Sequence, residues 1–311
     1  MRGIELARRR WLSQSAGLAV GAALSSCTTS TAQASDYRPL LLEVNPPAPA
    51  AGKAWLFGSV HAGEQNLYPL PAPVLSRWRS ADRLAVELDL SARWDQLKAG
   101  FSRVALLPNG ERLERYLEPP LIESMRKRFE IDPVRWERLS RLQPWVLSMV
   151  LQQRDSASLE VSEAFGIDQH FLKLAASAGR PVSELEQADE QIKAFSSGSI
   201  AEQVALLKTR LATESIWKTN LTALVNHWRT GDERALLELK HQAFGRDASL
   251  AKLRDRLFYQ REQRMASRLM TLMQMPQNVF VVVGAFHLVG TPNLVDFLRE
   301  QGAAVERIQY A

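Results

Sequence analysis

Two apolar, strand-like runs that end in the same short motif constrain the fold of this chain more than any other feature. Residues 55–61 read WLFGSVH, and residues 280–287 read FVVVGAFH. A continuous apolar run bounded by glycine is typical of a strand that is buried in a sheet. Each run ends in Gly-x-x-His, so each histidine falls just past the carboxyl end of its strand. Open α/β sheets bind their ligands at that edge.

The repetition of this motif at opposite ends of the chain predicts a single shared site. Two of the five histidines, His61 and His287, occupy the same local context. The glycines that precede them, Gly58 and Gly284, allow the backbone to come close to a bound group. We therefore predict one site that is assembled from both ends of the chain.

Two carboxylates are predicted to reach the same edge. Residues 83–90 alternate between apolar and polar positions, which predicts a strand with Glu87 near its carboxyl end. The spacing from the first motif is like that of a βαβ unit, so we expect this strand to lie beside the one that carries His61. Residues 182–186 predict a further short strand that ends in Glu186.

The middle of the chain has helical spacing of its apolar residues. Helices are predicted over residues 72–80, 113–129, 144–153, 162–178 and 292–301, with a long helical block over 188–275 that breaks near 196–198 and 229–232. A last strand is predicted over 302–308. These elements predict an α/β fold whose central, mostly parallel sheet is built from both chain ends, flanked by helices and interrupted by a large helical insert.

The first 27 residues have the pattern of an export signal. Arginines at positions 8–10 precede a short apolar run, and residues 24–27 (LSSC) fit the box before the lipidated cysteine of bacterial lipoproteins. The predicted organisation is a signal peptide over 1–27 with lipidation at Cys27, a tether over 28–52 and a folded domain over 53–311. Plain secretion without the lipid is the alternative. The expected location is the periplasmic face of the cell envelope, with the outer membrane preferred.

The charge of the chain does not indicate a nucleic-acid partner. Residues 1–26 contain four of the 39 basic residues and one of the 34 acidic residues, so removal of the signal lowers the net charge from +5 to +2. Nucleic-acid binding would require basic residues clustered on one face. The expected partners are a peptide or small-molecule substrate, and a membrane reached through the N-terminal lipid.

The predicted site residues suit hydrolytic chemistry. The imidazoles of His61 and His287, together with the carboxylates of Glu87 and Glu186, can bind Zn, Mn, Co or Fe, and such an ion activates water. Without a metal, a histidine held by a carboxylate can act as a general base. A role for Ser59 as nucleophile has weaker support, because serine in a tight turn usually satisfies nearby backbone groups. The sequence contains no Gly-x-Ser-x-Gly or His-Glu-x-x-His motif.

An ordered set of short segments resembles the TraB/GumN family, which is related to Tiki-type metalloproteases. The matching segments are residues 56–61, 67–71, 81–89, 166–168, 180–186 and 284–290. The resemblance implies a fold like that of erythromycin esterase and ChaN-type proteins. It also implies a site formed by the two histidines and Glu87, with Glu186 and Arg261 in support of the site or the substrate.

The resemblance leaves several functions open. Tiki-type relatives imply a metal-dependent, peptidase-like hydrolase, and erythromycin-esterase relatives imply hydrolysis by histidine and glutamate without a metal. ChaN-type relatives imply a haem- or iron-binding lipoprotein that uses a histidine or Tyr68, and a motif kept only for structure is a further possibility. The chain departs from the family at Glu184, where glycine is usual, and at Glu262, where asparagine usually follows the arginine.

Overall fold

The two motif strands lie side by side at the centre of a six-stranded sheet. In the computed structural model, residues 37–50, 52–156, 162–212, 216–246 and 248–310 are described. The predicted signal peptide with Cys27 lies outside these residues. The strands are β1 (Leu41–Asn45), β2 (Ala54–Ser59), β3 (Arg83–Val86), β4 (Val182–Glu184), β5 (Val279–Gly284) and β6 (Ala304–Arg307).

The sheet has the order β4-β3-β5-β2-β1-β6. Strands β4, β3, β5 and β2 are parallel to one another, whereas β1 pairs antiparallel with both β2 and β6. Strands β2 and β5 are buried at every position, as expected for central strands covered on both faces. The predicted α/β class with a mostly parallel sheet made from both chain ends is confirmed.

Three details of the predicted sheet need correction. Strand β3, which Glu87 follows, was predicted to lie beside β2, the strand that precedes His61. In the structure β5 lies between them, so β3 pairs with β5 and not with β2. A βαβ spacing leaves room for a strand from elsewhere in the chain, and the second motif fills it. Strand β3 ends at Val86, earlier than predicted, and Leu90 is 45% exposed. The predicted tether over 28–52 includes β1, because the side chains of Leu41 and Val44 are buried in the core.

Helices cover the sheet and form the insert. The longer ones are α1 (Ala72–Ser80), α2 (Trp94–Val104), α3 (Pro119–Arg128), α4 (Pro133–Leu139), α5 (Pro144–Ser156), α6 (Ile167–Ser177), α7 (Ala188–Ser196), α8 (Ile200–Ala212), α9 (Ile216–Thr230) and α10 (Glu233–Phe244). The chain continues with α11 (Ala251–Arg254), a π-helical turn (Asp255–Tyr259), α12 (Gln260–Leu272) and α13 (Leu294–Glu300). None of the described helices has the length and apolarity that a bilayer crossing requires.

The helical insert has an apolar core of its own. The main cluster packs around the sheet and includes Phe57, Phe171 and Phe280. A second cluster joins α3, α4, α5 and α8, with Met125 and Leu147 fully buried. The long helical block breaks where predicted, because α7 ends at Ser196 and α9 ends at Thr230, before Gly231 in a left-handed conformation. Part of the insert therefore packs on its own core, while Val225, Trp228 and Leu236 of the later helices belong to the main cluster around the sheet.

Candidate active site

The structure brings both Gly-x-x-His motifs to one point at the carboxyl edge of the sheet. Strands β2 and β5 run in parallel register, with Ser59 opposite Gly284. His61 follows β2 after one further residue, and His287 lies in the 3-10 turn Ala285–Leu288 that follows β5 directly. The predicted adjacency of the two motifs is therefore present in the fold.

His61 lies at the exposed side of this edge and is held by an aspartate. Its Nδ1 is 2.9 Å from Oδ2 of Asp168, and the Ser59 hydroxyl donates to the other Asp168 oxygen at 3.0 Å. The His61 side chain is 65% exposed. The Asp168 carboxylate raises the pKa of the His61 imidazole above its ordinary value, and water around the exposed ring screens part of this attraction.

The position of Asp168 follows from how helix α6 begins. The Ile167 N–H donates to the Val60 carbonyl at 3.0 Å, which places the first turn of the helix beside the end of β2. Gly166 precedes the helix at a point where a Cβ would lie 2.2 Å from the His61 carbonyl oxygen, so a side chain does not fit there. A carboxylate in the first turn also interacts favourably with the helix dipole. The glycine thus lets α6 come close enough for Asp168 to reach His61.

His287 is the buried counterpart of His61. Its side chain is 5% exposed, and its Nδ1 is 3.0 Å from Oε1 of Glu262. Its Nε2 is 3.8 Å from Oε1 of Glu87. The Phe258 ring packs against the imidazole with 5.5 Å between ring centroids. Both motif histidines therefore have Nδ1 on a carboxylate, and Nε2 of His287 faces Glu87.

Glu87 lies between the two histidines and is 7% exposed. Its Oε1 accepts the Gly284 N–H at 2.5 Å, and its Oε2 accepts a hydrogen bond from Arg261 at 2.8 Å. Burial alone would raise the pKa of the Glu87 carboxyl. Its cationic neighbours, His287, Arg261 and His61 in order of effect, together with the Gly284 N–H, reverse this and hold the pKa low, at about 2. Glu87 is therefore a carboxylate at neutral pH.

Arg261 joins the two predicted carboxylates. It is 7% exposed on α12, and it binds Glu186 through two hydrogen bonds, at 2.7 Å from Nε and 2.6 Å from Nη2. Burial lowers the pKa of this guanidinium, but Glu186 and Glu87 outweigh that effect and raise it. Glu186 is 2% exposed and has no direct contact with either motif histidine. Glu186 therefore contacts Arg261, which in turn binds Glu87, and its predicted role in support of the site stays a prediction.

The two motif glycines have different surroundings. A Cβ at Gly284 would lie 3.2 Å from both Oε1 of Glu87 and Nε2 of His61, so these two groups come close to the main chain at Gly284 and a side chain there would press against them. A Cβ at Gly58 would instead meet Leu288 and Ala285 in the core, at 3.1 and 3.4 Å. Gly284 therefore borders the site itself, whereas Gly58 permits close packing beneath it.

Sequence reasoning missed the carboxylates that hold the two imidazoles. Asp168 stood within a segment that resembles the family but received no role, and Glu262 was noted only as a departure from the family pattern. The other departure, Glu184, pairs with Arg93 and accepts the Asp89 N–H, so its carboxylate is engaged outside the group around Glu87. Tyr68, the predicted haem ligand, donates its hydroxyl hydrogen to the Phe165 carbonyl at 3.0 Å.

The chemistry of the three central groups fits a divalent metal ion. Imidazole nitrogen and carboxylate oxygen are common ligands of Zn, Mn, Co and Fe. Histidines that bind metals usually have the second ring nitrogen on a carboxylate, as His61 and His287 have here. The missing Cβ of Gly284 leaves space beside Nε2 of His61 and Oε1 of Glu87. Within the described residues, however, no three His, Cys, Asp or Glu side chains are grouped closely enough to hold an ion as they stand.

The sequence of this chain is similar to that of a known protein family and of individual relatives. The sequence model of the TraB/PrgY/gumN family matches residues 48–307. The Escherichia coli K12 protein named uncharacterized protein YbaP is 30% identical over 251 residues, which cover 78% of this chain and 87% of YbaP. No solved structure matches the chain significantly.

More distant relatives carry the name metalloprotease. Metalloprotease TIKI2 of Danio rerio is 24% identical over 323 residues, which cover 87% of this chain and 61% of that protein. The metalloprotease TIKI homolog of Nematostella vectensis is 20% identical over 316 residues, which cover 82% of this chain and 65% of that protein. This chain therefore corresponds to less than two thirds of each of these two relatives.

Proposed function

The chain belongs to the TraB/PrgY/gumN family, and from this premise we propose that it is a metal-dependent hydrolase of the peptidase type. The distant relatives named metalloproteases support this class of reaction. The observation that carries the proposal is the arrangement around Gly284. There, Nε2 of His61 and Oε1 of Glu87 would each lie 3.2 Å from a Cβ at Gly284, and Nε2 of His287 is 3.8 Å from the same Glu87 oxygen.

His61, His287 and Glu87 would hold the ion. A divalent metal supplies a water molecule of lowered pKa and polarises the carbonyl of a substrate. Glu87 keeps lone pairs available after it has accepted the Gly284 N–H and the Arg261 hydrogen bond, because a carboxylate has about four acceptor positions. A bound ion would replace the proton on each Nε2, and the two imidazoles, then neutral, together with one carboxylate would leave a coordination position for water or substrate.

The surrounding residues prepare these three groups. Asp168 and Glu262 accept hydrogen bonds from Nδ1–H of the two histidines, which leaves the lone pair of each imidazole on Nε2. Arg261 keeps Glu87 ionised and fixes the orientation of its carboxylate. A substrate would approach from the side of His61, whose side chain is exposed. His287, whose side chain is buried, would line the inner side of the site. A peptide is the substrate class that the metalloprotease relatives favour.

Metal content and single histidine variants test this proposal. We expect one equivalent of Zn, Mn, Co or Fe in purified residues 28–311, measured by elemental analysis, and none in the double variant His61→Ala/His287→Ala. Each single variant should lose peptidase activity by about 100-fold or more against a peptide library, because loss of one supporting or ligating group already costs about 10- to 100-fold. His227→Ala, on helix α9, serves as the matched histidine control and should retain activity.

Two results would contradict the proposal. If the parent holds no metal after reconstitution, the ion-dependent mechanism is wrong, and hydrolysis by a histidine and carboxylate without metal becomes the leading alternative. If either single histidine variant keeps parental activity, that histidine does not contribute to the reaction. The first result concerns the ion alone, and the second concerns the site as a whole.

We also propose that the protein is exported and anchored by a lipid on Cys27. The support is the sequence of residues 1–27, with its arginines, short apolar run and LSSC box. Cys27→Ser should move the protein from the membrane fraction to the soluble periplasmic fraction, as measured by cell fractionation and immunoblotting. An unchanged membrane association in Cys27→Ser would show that another feature binds the protein to the membrane.

A further inference from the structure

A buried lysine, Lys240, lies on the Nδ1 side of His287. It belongs to helix α10 and is 9% exposed. Lysine is rarely buried without partners, because removal of an ammonium group from water is costly. Neither its burial nor its place beside the site is required by the proposed reaction, so its contacts need a separate explanation.

The ammonium group of Lys240 binds the main chain within and just after the turn that carries His287. Nζ donates to the Phe286 carbonyl at 2.7 Å and to the Val289 carbonyl at 3.1 Å. Carbonyls at the end of a short helical turn have no hydrogen-bond donor within the helix. Here the side chain of Lys240, from another helix, donates to them. Lys240 therefore contacts the main chain on each side of His287 in sequence.

The same ammonium group faces the carboxylate that holds the imidazole. Nζ lies 3.8 Å from Oε1 of Glu262, and Glu262 is fully buried. The centroid of the Phe258 ring lies 4.1 Å from Nζ, and the same ring packs against His287 with 5.5 Å between the two ring centroids. Among the described contacts, the second Glu262 oxygen has no hydrogen-bond partner. Lys240 thus places a positive charge beside the Glu262 carboxylate that holds His287.

We propose that Lys240 is a positioning residue for His287, which it holds by fixing the main chain of the turn through the Phe286 and Val289 carbonyls. Fixing these carbonyls fixes the direction of the His287 side chain, and the hydrogen bond to Glu262 then sets the rotation of the ring. As a result, Nε2 points toward Glu87. The inference rests on the proposed role of His287 in the site, and it adds a residue from the helical insert to that site.

The first test reads the His287 ring directly and needs neither metal nor substrate. The full chain, labelled with ¹⁵N-histidine, contains five histidines, and the His287 ring signals are assigned by comparison with His287→Gln. We expect one sharp set of ring signals in the parent and broadened or multiple signals in Lys240→Met. Lys252→Met, at an exposed position, should leave the spectrum unchanged.

A second control separates positioning from general loss of stability. Leu236→Ala removes a fully buried side chain from the same helix, α10, without removing the contacts of Lys240. It should lower the melting temperature and leave the His287 signals sharp. The proposal is overturned if folded Lys240→Met retains parental His287 signals, or if Leu236→Ala broadens them as strongly.

A double variant separates the main-chain contacts from charge balance. Lys240→Met/Glu262→Gln removes both charges and keeps an oxygen acceptor for Nδ1–H of His287, so it also serves if the single variant does not fold. We expect the His287 signals to remain broadened in this variant. Sharp, parental signals would overturn the proposal, because Lys240 would then serve only to balance the charge of Glu262.

Zinc affinity gives the corresponding functional measurement. Competition against a chromophoric chelator should show Zn²⁺ binding to Lys240→Met that is about 10- to 100-fold weaker than to the parent, with Lys252→Met at the parental value. Parental affinity in Lys240→Met would overturn the proposal. If the parent itself binds no Zn²⁺, the metal-dependent function is contradicted, and the ring signals alone decide the role of Lys240.

Discussion

The two motif histidines have the same sequence context but opposite environments. The His61 side chain is 65% exposed and its partner Asp168 is 19% exposed, whereas the corresponding values for His287 and Glu262 are 5% and 0%. Both imidazoles bind a carboxylate through Nδ1 at about the same distance, 2.9 and 3.0 Å. The repeat therefore provides the same hydrogen bond at two very different degrees of burial.

The difference shows what a buried repeat of the motif requires. At His61, water, the Ser59 hydroxyl and the first turn of α6 compensate the charge of Asp168. At His287, water is excluded, so a protein cation must take that role, and Lys240 lies 3.8 Å from Glu262. A buried carboxylate without such a partner would be strongly unfavourable. The same motif thus needs an additional residue wherever it is covered.

The largest loss of stability is expected from removal of the buried carboxylate, Glu262, and removal of the exposed carboxylate, Asp168, gives the comparison. Glu262→Ala leaves the charge of Lys240 buried without its partner and Nδ1 of His287 without an acceptor. We expect the free energy of unfolding to fall by about 3–5 kcal/mol. Asp168→Ala, at the exposed pair, should cost about 1 kcal/mol, because water can replace the lost hydrogen bonds. Urea denaturation of both variants and the parent measures the difference.

Two control variants separate the effect of the carboxylate charge on stability from the effect of side-chain volume. Glu262→Gln keeps an acceptor of the same size, and Asp168→Asn does the same at the exposed site, so these variants are the matched controls. The interpretation is contradicted if Glu262→Ala and Asp168→Ala lose the same stability within about 0.5 kcal/mol. In that case burial would not distinguish the two halves of the site.

The features that could be predicted from the sequence are the ones encoded locally. An apolar run followed by Gly-x-x-His specifies a buried strand and a histidine at its end, so the positions of His61 and His287 followed from short segments. Glu87 followed from an alternating strand pattern in the same way. Helix α1 and the breaks at the ends of α7 and α9 also followed from local apolar spacing and turn residues.

The features that could not be predicted depend on contacts between distant segments. The position of β5 between β2 and β3 is set by side-to-side pairing, about which the periodicity of a single strand carries no information. Asp168 and Lys240 lie on helices, at spacings that also suit solvent-exposed residues, and only the packed structure shows which groups they face. The residues that hold the imidazoles were therefore harder to predict than the imidazoles themselves.

A smaller effect is expected from the two motif glycines, and it should differ in kind. Gly284→Ala adds a methyl group next to Glu87 and His61, so we expect activity to fall about tenfold with little loss of stability. Gly58→Ala adds a methyl group against Leu288 and Ala285 in the core. It should lower the free energy of unfolding by about 1–3 kcal/mol through overpacking. Steady-state kinetics should show the lower activity of Gly284→Ala, and thermal denaturation should show the lower stability of Gly58→Ala.

One outcome would contradict the prediction for the two glycine variants. If Gly284→Ala is fully active while Gly58→Ala is inactive at a temperature where both are folded, the reacting groups lie on the other side of β2. The surroundings of Gly284 would then have no role in the reaction. Conformational strain does not complicate the Gly284 variant, since its φ of −55° is accessible to alanine.

The smallest expected effect concerns Ser59, and it sharpens the comparison at the exposed histidine. Ser59→Ala removes one hydrogen bond to Asp168, while the Asp168–His61 bond remains and the Asp168 side chain is 19% exposed to water. We expect a loss of about 1 kcal/mol or less in stability and a decrease of about two- to fivefold in kcat/KM. A serine nucleophile would instead give a nearly complete loss of activity, because no covalent intermediate could form. Since the Ser59 hydroxyl donates to Asp168 and not to a histidine, the supporting role is the one that the structure favours, and kinetics of Ser59→Ala beside Ser59→Thr decide between the two.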